Sequence, residues 1–320
     1  MATTPLYASP SARIGQGIAL AFAAFAVYAW SDGFVKIIEG GINPIEIAFF
    51  GAAFGLAAFP FLKKDGDTWS DAVRTTNRPL WMVRFIASGF GAIGSVTAFS
   101  YLPMAEAFAL IFLLPSFVTI MSVVFLKEQV GIKRWSAVII GFIGVLIILR
   151  PGFRELSIGH FGAIVGGLSG AISIVVFRAM GAREKNISLY GAGVLGWLTI
   201  CGVGMIPVFV MPAAEQWIYL AGYGLLAALG NVLLMLASAR APAAIVGPTQ
   251  YSQMIWALVI GYFFFSERVD LPMVVGIIFI VGSGLLTLMR ERERGTPLPP
   301  SLAADPQSGV AIKPDSASDC

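Results

Sequence analysis

The chain alternates long apolar stretches with short polar punctuations, and the stretches are too long and too uniform for the core of a soluble domain. A helix rising about 1.5 Å per residue needs about 20 residues to cross the hydrocarbon of a bilayer. Apolar runs bounded by charge, Pro or Gly predict ten such helices. The first five cover 14–36, 44–62, 81–100, 104–126 and 134–150; the second five cover 158–179, 187–211, 216–237, 242–265 and 270–290. No strand alternation interrupts them, so the predicted fold class is an all-α integral membrane protein. The first run follows Arg13 as a signal peptide would, but it continues through Trp30 into a charged turn without a cleavage site. It is read as a retained helix.

Composition sharpens this. Of the 320 residues, 57% are hydrophobic and 12% charged, where a soluble domain carries about 25% charged residues. That excludes a soluble enzyme, a nucleic-acid-binding domain and a disulfide-stapled secreted domain. The two cysteines, Cys201 and Cys320, form no framework. The single histidine, His160, has no Cys or carboxylate neighbours at metal-ligand spacing, so no metal site and no cofactor are expected. Counting Lys and Arg in alternate loops places 16 on the side of the termini and 4 on the other, with Arg84 inside the third span. By the positive-inside rule both termini are cytoplasmic. Residues 1–13 then form a short cytoplasmic lead, and the Pro-, Ser- and Asp-containing stretch 291–320 a disordered cytoplasmic tail.

Two segments repeat at an offset of 139. Ala98, Pro103, Ala105, Phe125 and Glu128 recur as Ala237, Pro242, Ala244, Phe264 and Glu267, with Pro and Glu 25 residues apart in both. Each copy holds five predicted helices, at 14–150 and 158–290. Five is odd, so the halves must enter the membrane with opposite orientations. Inverted repeats are the architecture of secondary transporters, which hold substrate near the midplane between the halves.

Tyr101-Leu102-Pro103-Met104-Ala105-Glu106-Ala107, Pro115-Ser116-Phe117, Leu126-Lys127-Glu128 and Gly141-Phe142-Ile143-Gly144-Val145 also carry a resemblance. With ten helices in two halves, they resemble the EamA-type drug/metabolite transporter superfamily over roughly residues 14 to 290. Trp30-Ser31-Asp32-Gly33-Phe34-Val35-Lys36 and Pro44-Ile45-Glu46-Ile47 are most similar to the branch of bacterial riboflavin and S-adenosylmethionine uptake carriers. Many exporters of the superfamily carry an Arg early in the second helix, where this chain has Phe50-Gly51. The resemblance implies a secondary carrier of the inner membrane, with riboflavin uptake as its leading activity. S-adenosylmethionine uptake and export of amino acids or toxic metabolites are the alternatives. The implied partners are a small-molecule substrate and the lipid bilayer, and a homodimer is left open.

Polar residues inside spans are costly and therefore candidates for function. Asp32 and Lys36, four apart on the first helix, share a face: either a coupling carboxylate tuned by a cation, or an ion pair at the helix mouth with Lys36 snorkelling. Glu106 in the first turn of the fourth helix is a gate or a complement to the helix dipole. Arg84 is an anion contact, an inner gate, or a headgroup anchor. In the ninth helix Gln250, Tyr251, Gln253 and Trp256 could bind and stack on a flat polar metabolite, or could join helices. Tyr28, Trp30 and Asn231 are further candidate contacts. Pro115 and Pro248 should kink the fourth and ninth helices. Gly89-Phe90-Gly91-Ala92-Ile93-Gly94 fits a dinucleotide glycine pattern, but inside an apolar span it reads as close helix packing. An intramembrane enzyme is a remote alternative, because no clustered acid/base set is visible.

Overall fold

Helix is dictated wherever lipid surrounds the chain, because no water is present there to satisfy backbone N–H and C=O groups. The computed structural model describes residues 10–38, 40–62, 68–127, 130–150, 155–180, 184–241 and 243–293, and among these there is helix and no strand. Glu128, Pro242, the lead before Pro10 and the tail after Glu293 lie outside the described residues. The first half comprises α1 (Pro10–Ile37), α2 (Pro44–Gly55), the short α3 (Phe59–Leu62), α4 (Arg78–Tyr101), α5 (Met104–Ile111), α6 (Leu114–Leu126) and α7 (Ile132–Leu149). The second comprises α8 (Ile158–Met180), α9 (Asn186–Met205), α10 (Ala214–Ser238), α11 (Ala243–Thr249), α12 (Ser252–Phe265) and α13 (Leu271–Glu293).

Among the described residues six helices are long and apolar enough to cross a membrane: Ile14–Ile37, Arg78–Tyr101, Met104–Leu126, Ile158–Phe177, Ile187–Val208 and Ala214–Ser238. Pro44–Ala58, Trp135–Leu149 and Leu271–Leu286 are shorter apolar helices. The expected fourth and ninth spans are each divided in two, at Phe112–Leu113 and at Gln250–Tyr251. Proline accounts for both places. Pro115 has no N–H to offer the Ile111 carbonyl, and Gly167 of α8 approaches that carbonyl so closely that a Cβ would lie 2.9 Å from it. After Pro248 the chain tightens, with Gln250, Tyr251, Gln253 and Met254 all donating to carbonyls three residues back.

The halves match in local conformation. Lys127 closes α6 and Ser266 closes α12, each left-handed at φ 53° and φ 54° and separated by the repeat offset of 139. Packing follows the same exchange: α1 lies along α10 as α8 lies along α4, and α2 contacts α10 as α9 contacts α4. Likewise α12 meets α1 as α6 meets α8, while α2 with α9 and α7 with α13 pair across the halves.

Lipid tails are as apolar as Leu, so helices in a bilayer associate by close packing rather than hydrophobic burial. Small residues make that approach here. A Cβ on Gly94 would stand 2.6 Å from the Gly162 carbonyl of α8, and one on Gly91 would stand 2.8 Å from Ser169 Cβ. On α7 a Cβ at Gly144 would lie 2.8 Å from the Gly276 carbonyl of α13. The glycine run in α4 is thus a packing face. Large apolar side chains such as Phe90, Phe125, Ile132, Phe263 and Leu271 remain exposed around the outside.

One end of the bundle is closed by polar ties between the stretch before α4 and the start of α9. Lys185 Nζ donates to Asp71 Oδ2 at 2.8 Å. Glu184 Oε2 accepts the Thr76 N–H at 2.9 Å and the hydroxyls of Thr76 and Thr75 at 2.6 and 3.2 Å. The Trp81 indole N–H donates to the Ser188 carbonyl at 3.1 Å. The Lys185 hydrogen bond, followed by the Thr68 N–H, holds the Asp71 carboxyl down at about 2 against an ordinary 3.8. Burial works to raise Glu184, but bonds from Ser188, Thr76 and Thr75 together leave it below the ordinary carboxylate value.

Two outcomes are expected. Gly94→Leu should lower the melting temperature in detergent, at a cost of about 1–3 kcal/mol or more for overpacking. Gly282→Ala, where nothing lies within 4 Å, should be neutral or gain up to about 1 kcal/mol. Because Asp71 is depressed on folding, its tie is complete above about pH 4 and lost as pH falls through about 2. The melting-temperature difference between wild type and Asp71→Asn should therefore be flat from pH 7 to about 4 and shrink below that; a difference that holds steady down to pH 2 contradicts the assignment.

Candidate functional site

A cavity opens where helices of both halves meet: α2 and α4 from the first, α8, α9 and α10 from the second. Its polar lining is Arg84, Ser88 and Ser95 on α4, Ser169 and Ser173 on α8, Tyr190 and Trp197 on α9, and Asn231 on α10. Glycines supply much of the remaining wall, including Gly51 and Gly55 of α2, Gly91 of α4, Gly166 and Gly170 of α8, and Gly193 of α9. The same small residues that let α4 and α8 touch thus leave room beside the contact. The volume is about 50 Å³, room for a few waters at most, since one water needs about 10–15 Å³ on this measure.

Arg84 is 2% exposed. Its Nε donates to the Leu189 carbonyl at 2.7 Å and its Nη1 to the Ser173 carbonyl at 3.2 Å. The guanidinium is thereby held across the α4–α8–α9 junction. Asn231 accepts the Tyr28 hydroxyl at 3.0 Å on Oδ1 and donates from Nδ2 to the Ala227 carbonyl at 3.0 Å. It therefore lines the cavity and joins α1 to α10 at once.

The ninth-helix group sits elsewhere. Gln250 and Gln253 are buried beside the α11–α12 break, and Tyr251 packs edge-on against Phe112 at the α5–α6 break, with ring centroids 5.6 Å apart. Trp256 is partly buried against the main core. None of the four lines the cavity. Trp30 is 37% exposed and meets Phe264 edge-on at 4.9 Å, which sets it on the outer surface. Pro115 and Pro248 lie next to the two breaks rather than on the cavity wall.

Charged candidates converge at the end of the bundle opposite the Asp71–Lys185 tie. Lys36 is buried: Nζ donates to the Leu102 carbonyl at 2.8 Å and pairs with Glu267 Oε1 at 3.1 Å, 5.7 Å from the Phe265 ring centre. Glu267 Oε2 accepts the Met104 N–H at 2.9 Å, so one carboxylate caps α5 and holds the cation from α1. Asp32 is also buried, one turn below Lys36. Glu106, fully buried, meets His160 Nε2 at 3.1 Å. The Ser157 N–H donates to His160 Nδ1 at 2.9 Å, which places the proton of a neutral ring on Nε2, facing Glu106.

The Glu106–His160 pair joins residues 54 apart, so it lies outside the metal-ligand spacing at which the sequence offered His160 no carboxylate companion. Ser157 completes a Ser-His-Glu sequence of contacts, yet its geometry is that of a helix cap at the start of α8. Nor did sequence spacing join Lys36 to Glu267. Among the described residues no group of three or more His, Cys, Asp or Glu side chains is placed to hold a metal.

This arrangement can be set beside known proteins. The chain is 27% identical over 274 residues to the pseudopaline exporter of Pseudomonas aeruginosa, covering 83% of this chain and 93% of that one. It is 23% identical over 272 residues to the S-adenosylmethionine uptake transporter of Rickettsia felis, covering 82% and 89%. With the riboflavin transporter of Rhizobium johnstonii it shares 26% over 251 residues, covering 77% and 80%. A solved crystal structure matches 89% of this chain and 99% of its own at a TM-score of 0.56 and 16% identity, a likeness of fold alone. The EamA-like transporter family matches residues 15–150 and 157–289. This multi-pass membrane protein, matched over both of its halves, therefore belongs to the EamA-like transporter family.

Proposed function

We propose that the chain is a secondary transporter of the bacterial inner membrane, moving a small polar or heterocyclic metabolite by alternating access. In this reading ten spans form two inverted five-helix repeats, 14–150 and 158–290, with both termini cytoplasmic. The observation that carries it is the polar-lined cavity shared by α2, α4, α8, α9 and α10, because secondary carriers hold substrate between repeats near the midplane. The cluster of Lys36, Glu267, Glu106 and His160 is then the outer gate, with Asp32 beside it, and the Asp71–Lys185 and Glu184 ties are the inner gate. No Walker phosphate loop is present in the sequence, so the driving force is an ion gradient, exchange or the substrate's own gradient.

Riboflavin uptake is the first activity to test, supported by the resemblance of the opening motif and by the rhizobial relative. Export is the second reading, favoured by the similarity to the pseudopaline exporter. Growth rescue of riboflavin auxotrophs separates uptake from export in cells.

Purified protein in liposomes should pass labelled metabolite without ATP; absence of flux across a broad panel rejects the carrier reading. Tags placed at Lys127 and Ser266 should report from opposite faces of the membrane, and a shared face rejects the inverted arrangement. Glu267→Gln weakens the outer gate and should raise labelling of Ser95→Cys from outside severalfold, read with an impermeant thiol reagent in a chain lacking its native cysteines.

A further inference from the structure

One buried carboxyl group belongs neither to the cavity nor to the polar ties at the two ends. Glu46, in the first turn of α2, is fully buried. Its Oε2 accepts the Val210 N–H at 3.2 Å, and its Oε1 is buried with no hydrogen-bond partner among the described residues. A carboxylate kept from water needs a cation or two to three donors to stay ionised, and one N–H at the long end of the hydrogen-bond range supplies neither. The N-terminus of α2 favours negative charge, but its first amides turn elsewhere. The Ile45 N–H donates to Asn43 Oδ1 at 3.0 Å, and those of Glu46 and Ile47 to the Asn43 carbonyl at 2.9 and 3.1 Å. The surroundings bring no countercharge. The connection 206–213 between α9 and α10 holds no titratable side chain. The elements packed on α2 are α4, α9 and α10. On α4, Arg84 is engaged with the Leu189 and Ser173 carbonyls, and Arg78 and Tyr101 stand at the helix ends. The others are Tyr190 and Cys201 on α9, and Glu215, Tyr219 and Tyr223 on α10, where Tyr219 donates to Glu215 at 2.7 Å. Lys36, at the end of α1, pairs with Glu267. Among the described residues none of these hydrogen-bonds or ion-pairs with Glu46.

The cover is thin. Val210 is itself exposed, as are Phe209 and Met211, so one pass of chain separates the carboxyl from the surroundings. Glu46 also rides on the helix that gives Gly51, Ala52 and Gly55 to the cavity wall. We propose that Glu46 is a proton-binding site: beneath Val210 it is the neutral acid, and it releases its proton when α2 and the α9–α10 connection part. The proposal rests on the transporter reading above, in which this end of the bundle opens to the outside. Closing takes up one proton from the outer water onto a carboxylate oxygen, and opening returns it, with no other bond made or broken. Acid therefore favours the closed end and base the open one, by up to about tenfold per pH unit for a single proton.

Infrared spectroscopy of the purified full-length protein in lipid should show, near neutral pH, a protonated-carboxyl C=O band that is missing in Glu46→Gln, a variant that keeps an acceptor for the Val210 N–H. Should that variant fold poorly, Glu46→Asp retains the acid and should shift the band instead. Absence of a band assigned to Glu46 overturns the proposal. So does its loss on adding sodium or potassium chloride at constant pH, which marks a cation site. A second readout follows opening. Ile47→Cys replaces a fully buried neighbour of Glu46 and is labelled from outside liposomes with an impermeant maleimide, in a chain lacking its native cysteines. Its labelling rate, divided by the rate of the same reporter in the Glu46→Gln background, should rise about three- to thirtyfold from about pH 6 to about pH 8; the division removes the titration of the thiol itself. A ratio that stays flat, or no labelling at any pH, overturns proton release on opening. Flux keeps the two readings apart. The Glu46 band and pH-linked labelling, with no flux of any compound, keep the proton site and reject the carrier, whereas ATP-independent flux without the band keeps the carrier and rejects the proton site.

Discussion

Backbone amides that cannot be surrendered to lipid govern this molecule. They force every long apolar stretch into helix, and they decide where a helix can be interrupted. Both interruptions, at Phe112–Leu113 and Gln250–Tyr251, lie inside the bundle, where α5 packs against α12 and Tyr251 rests on Phe112. At the first, the carbonyl left without its Pro115 partner faces the bare backbone of Gly167. At the second, donors three residues apart take up the slack. Proline would be expensive in a lipid-facing helix; here neighbouring helices shield the exposed groups.

Symmetry and its failure locate the cavity. Shifted by the repeat offset of 139, Arg84 corresponds to Tyr223 and Ser95 to Leu234. Tyr223 and Leu234 are fully buried, and the Tyr223 ring fills the space against Gly51. The pocket that polar groups line on α4 is therefore plugged on α10. The two halves share a scaffold of helix pairs, and the two equivalent junctions differ in filling: one keeps the cavity, while the other is packed by the Tyr223 ring.

Much of the scaffold was legible in the sequence. Apolar run length predicted where helices lie, the interval from Pro103 to Glu128 and from Pro242 to Glu267 exposed the repeat, and small residues in α4 announced a close crossing. Arg84 and Asn231 were visible as polar groups in apolar surroundings, and both reach the cavity. A central polar cluster does not say which neighbour it faces, and in the ninth helix Gln250 and Gln253 are buried beside a helix break rather than on the cavity wall. Trp30 had the same ambiguity, and its ring lies outward on Phe264. Long-range pairs were invisible in principle. Glu106 with His160, and Lys36 with Glu267, join residues whose spacing obeys no local period. Trp197, placed among apolar neighbours, carried no signal at all until the fold set it on the cavity wall.

Polar ties hold both ends of the bundle at once, and this bears on how the proposed cycle runs. At one end a single carboxylate, Glu267, holds both the Lys36 cation and the α5 N-terminus. Losing it frees two elements together, which favours an all-or-none opening over gradual loosening. At the other end the Asp71–Lys185 contact is half-exposed on the Lys side, and exposed ion pairs contribute about 0–1 kcal/mol. Glu184, with three hydrogen bonds from Thr75 and Thr76, carries more of that closure. The ends therefore differ in kind: a buried, cooperative lock faces a more hydrated, distributed one. Both ends touch α4: Lys36 donates to the Leu102 carbonyl at its C-terminal cap, and Trp81 in its first turn donates to the Ser188 carbonyl. In the proposed cycle one continuous helix would therefore couple the two ends without a separate signalling path.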